Sequence, residues 1–388
     1  MAPTKPQSKS KDKARDRLRA KAASNQTPTL KTRELLANAA AFLEAGDPES
    51  AKTNAELAFE QIGSNGRQAG AVLSLLGQIH VEVGDIDKAR DVFSQAVKID
   101  EHGTLPEEEG GGPEKFLWLA QLSEDGGKDS VSWFERGAAA LRTQIQTLTE
   151  KLGSLPHTRD EQEAMIAEKR RKLAETLCAV AEVYMTDLSW EEDAEQRCEV
   201  LITEAIMLAP EVADTWQTVA SVRISQSRTE EAQEALKRSL GLWTDLPPGD
   251  PAVPEFPVRV SLVRLLIEVG LEEKAIEVAE RLVDEDDESV EAWYLGGYGR
   301  YIRGEKLKQE TAADIEKWKA AWRSSSKWLS QCMRVFKDEE YEDERLGQHV
   351  QELLESITNE IGEAPEDDVL WEDTDDEEGE GDGDAEMQ

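Results

Sequence analysis

From Leu35 onward the apolar residues recur three and four positions apart, in short segments separated by turns that carry Gly, Asp or Pro. That period lines one stripe of an α-helix and does not fit a strand. Leu73, Leu76 and His80 share one helical face, Gly84-Asp85 makes a turn, and Ala89, Phe93 and Ala96 share the face of a second helix. The pairing predicts two antiparallel helices whose small residues, Gly77 among them, sit where the backbones approach and whose large residues fill the gaps. Leu141, Ile145, Leu148 and Leu152 prolong another helix until Gly153 and Pro156 break it, and a further helix runs from about Arg159. Leu246–Pro257 holds five prolines and cannot be helical through its middle. Leu346, Val350, Leu353, Ile357 and Ile361 give a last helix one apolar face.

The helix–turn–helix unit at 71–100 recurs along the chain. Its Leu76-Gly77, His80, Ala89, Phe93 and Ala96 resemble the tetratricopeptide repeat, which has W-x₂-L-G-x₂-Y on its first helix and A-x₃-F-x₂-A on its second. Other copies carry Leu35, Ala39, Phe42, Ala51, Ala55 and Ala58; Phe116, Leu119, Ser130, Phe134 and Gly137; Leu177, Val180, Tyr184, Cys198, Ile202 and Ala205; Trp216, Val219, Ala232, Leu236 and Ser239; and Leu262, Leu266, Ala275, Ala279 and Leu282. A seventh opens with Trp293 and Gly296-Gly297, and its second helix, from about Ala312 to Phe336, is degenerate. The expected fold is therefore an all-α, right-handed superhelical tetratricopeptide-type solenoid of about seven hairpins over residues 29–336, with a capping helix at 337–362. Repeat starts near 32, 70, 113, 174, 213, 256 and 290 make the array irregular.

Charge separates the ends from the middle. The chain has 82 acids against 45 bases, a net charge of −37. Residues 1–33 hold ten bases and two acids, whereas residues 338–388 hold 23 acids and one base. Too few apolar residues at either end offset the entropy of ordering, so 1–28 is expected to be a disordered basic arm and 363–388 a disordered acidic tail. Lys5–Lys21 has the composition of a nuclear import signal, with a plain solvated arm as the alternative. Val369-Leu370-Trp371 is a short apolar cluster amid the tail's acids. There is no apolar run long enough for a membrane span, no signal peptide at the start and no paired-cysteine spacing among Cys178, Cys198 and Cys332. A soluble intracellular monomer is expected, with a cationic polypeptide as partner and neither membrane nor nucleic acid as ligand.

No catalytic constellation is present in the sequence. The four histidines are far apart, and His80 holds a core position of the second repeat. Gly110-Gly111-Gly112 leads into Pro113, not into the Lys-Ser/Thr of a phosphate loop. No enzyme activity, cofactor or metal is expected. In tetratricopeptide arrays, positions 2, 5, 9, 12 and 13 of each repeat face the groove. Here they carry Glu44, Glu82, Glu114, Glu124, Asp125, Glu175, Glu182, Asp214, Glu268 and Glu291, against Arg33 and Arg264. Gln78, Gln121 and Gln217 add polar contacts, and Tyr294, Tyr298 and Tyr301 form an aromatic stripe. Such a face suits an extended Lys/Arg-rich segment, through carboxylate pairs and cation–π contacts. Packing of the tyrosines against the capping helix is the competing account. The groove set holds no Lys, which argues against a clamp for a peptide's terminal carboxylate.

The basic arm, the irregular repeats beginning near Leu35-Leu36 and the acidic end with Val369-Leu370-Trp371-Glu372-Asp373 together resemble the fungal assembly chaperones dedicated to large-subunit ribosomal protein four. The resemblance implies capture of the new ribosomal protein by its long basic internal loop, protection from aggregation, and passage from cytoplasm to nucleus for assembly into the pre-60S particle. An import receptor meeting the basic arm would then be a second partner. An acidic tetratricopeptide histone chaperone is an alternative, although Glu107-Glu108-Glu109 is far shorter than the acidic insertion of that family. A scaffold subunit of a larger complex is another.

Overall fold

The computed structural model describes residues 30–63, 69–153, 158–310 and 315–362, which form fifteen α-helices with no strand among the described residues. In chain order they are α1 (Leu30–Glu44), α2 (Pro48–Ile62), α3 (Ala69–Glu82), α4 (Ile86–Ile99), α5 (Glu114–Gln121), α6 (Gly127–Glu150), α7 (Arg159–Met185) and α8 (Ala194–Leu208). They continue as α9 (Ala213–Ser225), α10 (Thr229–Leu240), α11 (Phe256–Glu268), α12 (Glu272–Glu285), α13 (Val290–Glu310), α14 (Ile315–Asp338) and α15 (Glu344–Ile361). The arm at 1–28, the tail at 363–388 with its Trp371, and the helix-breaking Pro156 lie outside the described residues. The chain divides into two compact units at Ser227/Arg228, inside the fifth repeat.

In the first unit α1 packs on α2, α3 on α4, α5 on α6 and α7 on α8; in the second, α11 packs on α12 and α13 on α14. The architecture is thus all-α and built of helical hairpins, as the spacing predicts. Glycine at positive φ followed by an aspartate N-cap makes the tight turns. Gly46 and Gly84 have φ of 73° and 74°, and the Asp47 and Asp85 carboxylates accept from the Ser50 and Lys88 amides.

Close approach is set by small residues. Ala39, Ala51, Ala55 and Ala58 are all fully buried in the first hairpin. A Cβ on Gly77 would stand 2.5 Å from the Phe93 ring, so the second hairpin closes only with glycine there. Gly296 lies under the Trp328 ring in the same way. The second helix of repeat seven is therefore not degenerate in packing: Trp328 stands where the other repeat has Phe93, and Trp318, Trp322, Leu329, Cys332 and Val335 are buried beside it. Phe42 departs from expectation in the other direction. It sits on the stripe that the repeat pattern marks as core, yet it is 38% exposed, because the alanines of α2 already fill the hairpin.

The irregular segments are held by polar contacts that the apolar pattern does not announce. Thr158 and Glu161 form a reciprocal capping box at the start of α7, and the Gln162 side chain accepts from the Gly153 amide at 2.7 Å. In the first turn of α5, Lys115 is 1% exposed and donates to Asp100 Oδ2 at 2.9 Å and to the Gly112 carbonyl at 3.0 Å. Asp100 Oδ1 in turn accepts from the amides of Thr104 and Leu105 at 2.9 and 3.3 Å. Burial alone would raise the Asp100 carboxyl, but the bonds from Lys115 and those amides outweigh it and hold it below 3.8. This contribution is present above the ordinary aspartate range and is lost as pH falls through the lowered folded value.

Removing one partner of this pair strands the other charge out of water. Asp100→Ala is expected to lower the unfolding free energy by about 3–5 kcal/mol, and the double change Asp100→Ala with Lys115→Met to recover most of that loss. Urea denaturation of both variants checks it; a double variant as unstable as the single one would show that the ion pair is not what holds the loop.

Candidate interaction face

Within the first unit α1 lies beside α3 and α7 beside α9, and within the second α11 lies beside α13. Within each unit these first helices lie side by side, and the positions turned away from their hairpin cores point outward, while Glu124 and Asp125 lie in the turn between α5 and α6. Glu44, Glu82, Gln121, Glu124, Asp125, Glu182, Asp214 and Glu268 are exposed, and Gln78 and Glu291 are half-buried. Gln217 is buried, with its Nε2 unpaired within the protein.

Two of these carboxylates already have basic neighbours. Arg90 Nη1 on α4 lies 2.6 Å from Glu124 Oε1, and Arg264 Nη2 on α11 lies 2.9 Å from Glu291 Oε1. Glu114, at the start of α5, pairs with Lys172 on α7. The charge available to a ligand is accordingly smaller than the count of acids in the sequence.

Glu175 and Glu182 stand two turns apart on α7, on the side turned to α9. Both side chains reach solvent, yet surrounding protein displaces enough of it to raise both carboxyls above 4.5. For Glu175 burial is the largest cause; Lys172 and Arg171 oppose it, while Asp214 and Glu114 add to it. For Glu182 burial alone acts. A charge that touches water and is still hemmed in by helices is what a concave wall produces. Nothing in the residue pattern separates these two from the other acids.

The tyrosine stripe lies on one face of α13, as its spacing predicts, but that face is not open. Tyr294 Oη is 2.9 Å from His349 Nδ1 on α15, and the Tyr298 ring meets the same imidazole edge-on at 5.7 Å between centroids. Tyr301 stacks on Trp322 of α14 at 5.7 Å, and its hydroxyl is 3.2 Å from Ser356 Oγ. Burial pushes the Tyr294 hydroxyl up to about 12. Val350, Leu353 and Ile357 of α15 are buried, and Gly347 lies against the Phe336 ring of α14. The three tyrosines therefore contribute first to packing between α13, α14 and α15; sequence spacing could not tell this from an open aromatic stripe.

His80 is 6% exposed, and burial, its largest influence, lowers its pKa below 6.5. It is a packed neutral histidine. Cys178, Cys198 and Cys332 are free and buried, with the thiols of Cys178 and Cys332 pushed up to about 12 by burial. Among the described residues no group of three or more His, Cys, Asp or Glu side chains converges as a metal site would.

Residues 71–102 match the family model described as tetratricopeptide repeat. A protein of Emericella nidulans named "Probable assembly chaperone of rpl4" is 44% identical over 364 residues, covering 92% of this chain and 88% of its own length. One of Schizosaccharomyces pombe with the same name is 32% identical and covers 79% of this chain and 85% of its own. A solved structure titled "Assembly Chaperone of RpL4 (Acl4) (Residues 1-338)" is 68% identical, superposes with a TM-score of 0.69, and covers 73% of this chain and all of its own. With helical hairpins throughout and two such relatives above 30% identity over more than two thirds of the chain, the chain belongs to the family of RpL4 assembly chaperones.

Proposed function

We propose that this chain is a dedicated chaperone of a ribosomal protein of the RpL4 kind, and that it holds a basic extended segment of that protein against the acidic face of its first helices. Carboxylates such as Glu82, Glu182 and Glu268, exposed on helices whose cores are closed, with Asp125 exposed in the turn between α5 and α6, support this reading most directly. Lysine and arginine pair with such groups, and covering both the cations and the apolar residues between them would keep the ribosomal protein from aggregating. Binding without chemistry is the whole activity in this reading. We further assign the protein to cytoplasm and nucleus as a monomer that accompanies its partner to the pre-60S particle. The basic arm at 1–28 would meet an import receptor, and 363–388 would remain a separate acidic tail. Affinity purification of the tagged full chain should yield one ribosomal protein in equal amount; recovery of histones or of a multi-subunit assembly would overturn the assignment.

If carboxylates carry the contact, affinity should fall steeply as salt shortens the Debye length below about 8 Å. Reversal of Glu82, Asp125 and Glu268 together to Lys should abolish capture while circular dichroism stays helical. Capture as strong as that of the unaltered chain would remove the acidic face from the mechanism.

Proton release gives an independent measure of the same contact. A cation placed beside Glu175 and Glu182 favours their ionised forms and brings their raised pKa values back down. Binding should therefore release protons between the ordinary value of 4.5 and the raised one, and affinity should increase with pH through that window. Calorimetry in buffers of different ionisation enthalpy detects the release, and Glu182→Gln should reduce it. A buffer-independent enthalpy at pH 5 would exclude contact with these two groups.

Tyr298→Ala opens a gap beside His349 and is expected to lower unfolding free energy by about 2 kcal/mol, less than a fully buried aromatic loses. Affinity per folded molecule should stay unchanged if the tyrosine serves packing, and should fall several-fold if it also stacks on the ligand. Thermal melting and titration on the same preparation separate the two.

A further inference from the structure

The long hairpin of the second unit reverses the sign of the chain. Between residues 300 and 337 there are ten bases and four acids, in a protein whose net charge is −37. On α14 the bases are arranged in a line. Lys319, Arg323, Lys327, Arg334 and Lys337 follow at intervals of four, four, seven and three, which keeps them on one helical face. The opposite face holds Trp318, Trp322, Ser325, Trp328, Leu329, Cys332 and Val335, all buried. Arg323, Arg334 and Lys337 are exposed, and Lys319 and Lys327 half-buried. Glu316 lies near the start of the stripe, with Oε2 3.7 Å from Arg323 Nη1. At 1.5 Å per residue the stripe is about 27 Å long.

α15 runs back along the apolar side of α14, so only its level along the helix, not its face, matches the stripe. Its beginning meets the end of α14 where Gly347 touches Phe336, and its end meets the start of α14 through α13. There Glu360 lies 3.1 Å from Lys308 Nζ, which itself stands over the rings of Trp318 and Trp322 at 5.3 and 4.8 Å. Lys319, the first base of the stripe, lies over the same Trp318 at 5.6 Å. The chain therefore leaves Gly362 at the Lys319 end of the stripe. The 26 residues that follow contain 14 acids and no base. About nine extended residues span 27 Å, so the tail is long enough several times over. Tethered beside its counter-charge, it has an effective concentration of order millimolar.

We propose that the acidic tail, residues 363–388, lies along the basic face of α14 and is the ligand of that surface within the same molecule. It covers a basic stretch of the described residues that would otherwise attract a polyanion or the acidic face of a second copy. The inference stands apart from the identity of the partner.

Carbodiimide coupling of the full chain tests it, because that reagent joins only carboxylates and lysines already in contact. At low salt, peptides from 363–388 should be found joined to Lys319, Lys327 and Lys337 in the monomer band, and not to the exposed Lys98 or Lys274. Half-molar salt should abolish the links. Arg323→Glu with Arg334→Glu should also abolish them while leaving all three lysines as reporters; if that pair disturbs helicity, Arg323→Gln with Arg334→Gln replaces it. Tail peptides joined evenly to all lysines, or not at all, would overturn the proposal. Links found only in a dimer band would assign the stripe to a second copy, and shielding of the three lysines by added poly(A) with no tail links would assign it to nucleic acid; either result also overturns it.

Discussion

Everything in this molecule depends on how closely two helices of a hairpin can approach. At Gly77 the Phe93 ring occupies the space of a side chain, and at Gly296 the Trp328 ring does the same. Small residues on one helix and a large ring on the other bring the axes together, and this closeness lets a hairpin such as α3–α4, with 14 residues in each helix, bury a core. Ala39 and Ala55 in the first hairpin, Ala89 in the second, Ala205 in α7–α8 and Ala279 in α11–α12 are fully buried. Because interiors are packed as densely as organic crystals, an added methyl at such a point displaces a helix and with it the whole face beside it. The carboxylates of the first helices point where they do because the glycines and alanines beneath them fix the rotation of each helix.

That constraint also explains what could be read before any coordinates. A close contact needs a small residue at a fixed offset from a large one, and such offsets repeat along a chain, so the hairpins were legible as far as Leu282. The pattern thinned in repeat seven because a tryptophan replaced the usual phenylalanine, although the packing is the same. Phe42 was misjudged for the converse reason: the spacing was right, but alanines had already filled the hairpin. Contacts between irregular segments leave no periodic trace. Lys115 is one more lysine in the sequence, and nothing marks it as buried on Asp100. The tyrosines illustrate the same limit, since a spacing of four and three fixes which face they share and says nothing about whether α15 covers it.

The acidic face was legible in sign but not in strength. Many bases of this chain are spent between helices: Arg142 bridges to Glu204, Arg259 to Glu285 and Arg300 to Glu280, at 2.9, 2.7 and 2.5 Å. The exposed Arg142–Glu204 pair adds little to stability, whereas Arg259 and Arg300 are buried and need their glutamates as partners. The larger consequence of such pairs is to neutralise particular acids and leave others, so that the remaining field depends on which carboxylates lack a cation nearby. Arg90 weakens Glu124 in this way, and Arg264 weakens Glu291. Burial acts on Glu175 and Glu182 instead: it disfavours their charged forms and raises both carboxyls, with Lys172 and Arg171 partly opposing it at Glu175.

A groove of this type, on the proposed reading, holds its ligand by many weak contacts. Each solvent-reached carboxylate–cation pair contributes about 0–1 kcal/mol, so half a dozen give only a few kcal/mol of attraction. The remaining affinity has to come from apolar surface covered between the charges, which salt does not weaken. Such a division matches the task of a carrier. The charged part gives fast encounter and yields to a stronger polyanion, since a nucleic-acid backbone that releases counterions competes for the same lysines and arginines far more effectively than scattered carboxylates. Burying those carboxylates fully would strengthen each pair only at a large desolvation cost, and it would slow release. The half-open setting of Glu175 and Glu182 avoids both extremes: the helices around them restrict solvent while both side chains stay in contact with water, so on that reading the ligand can leave one pair at a time.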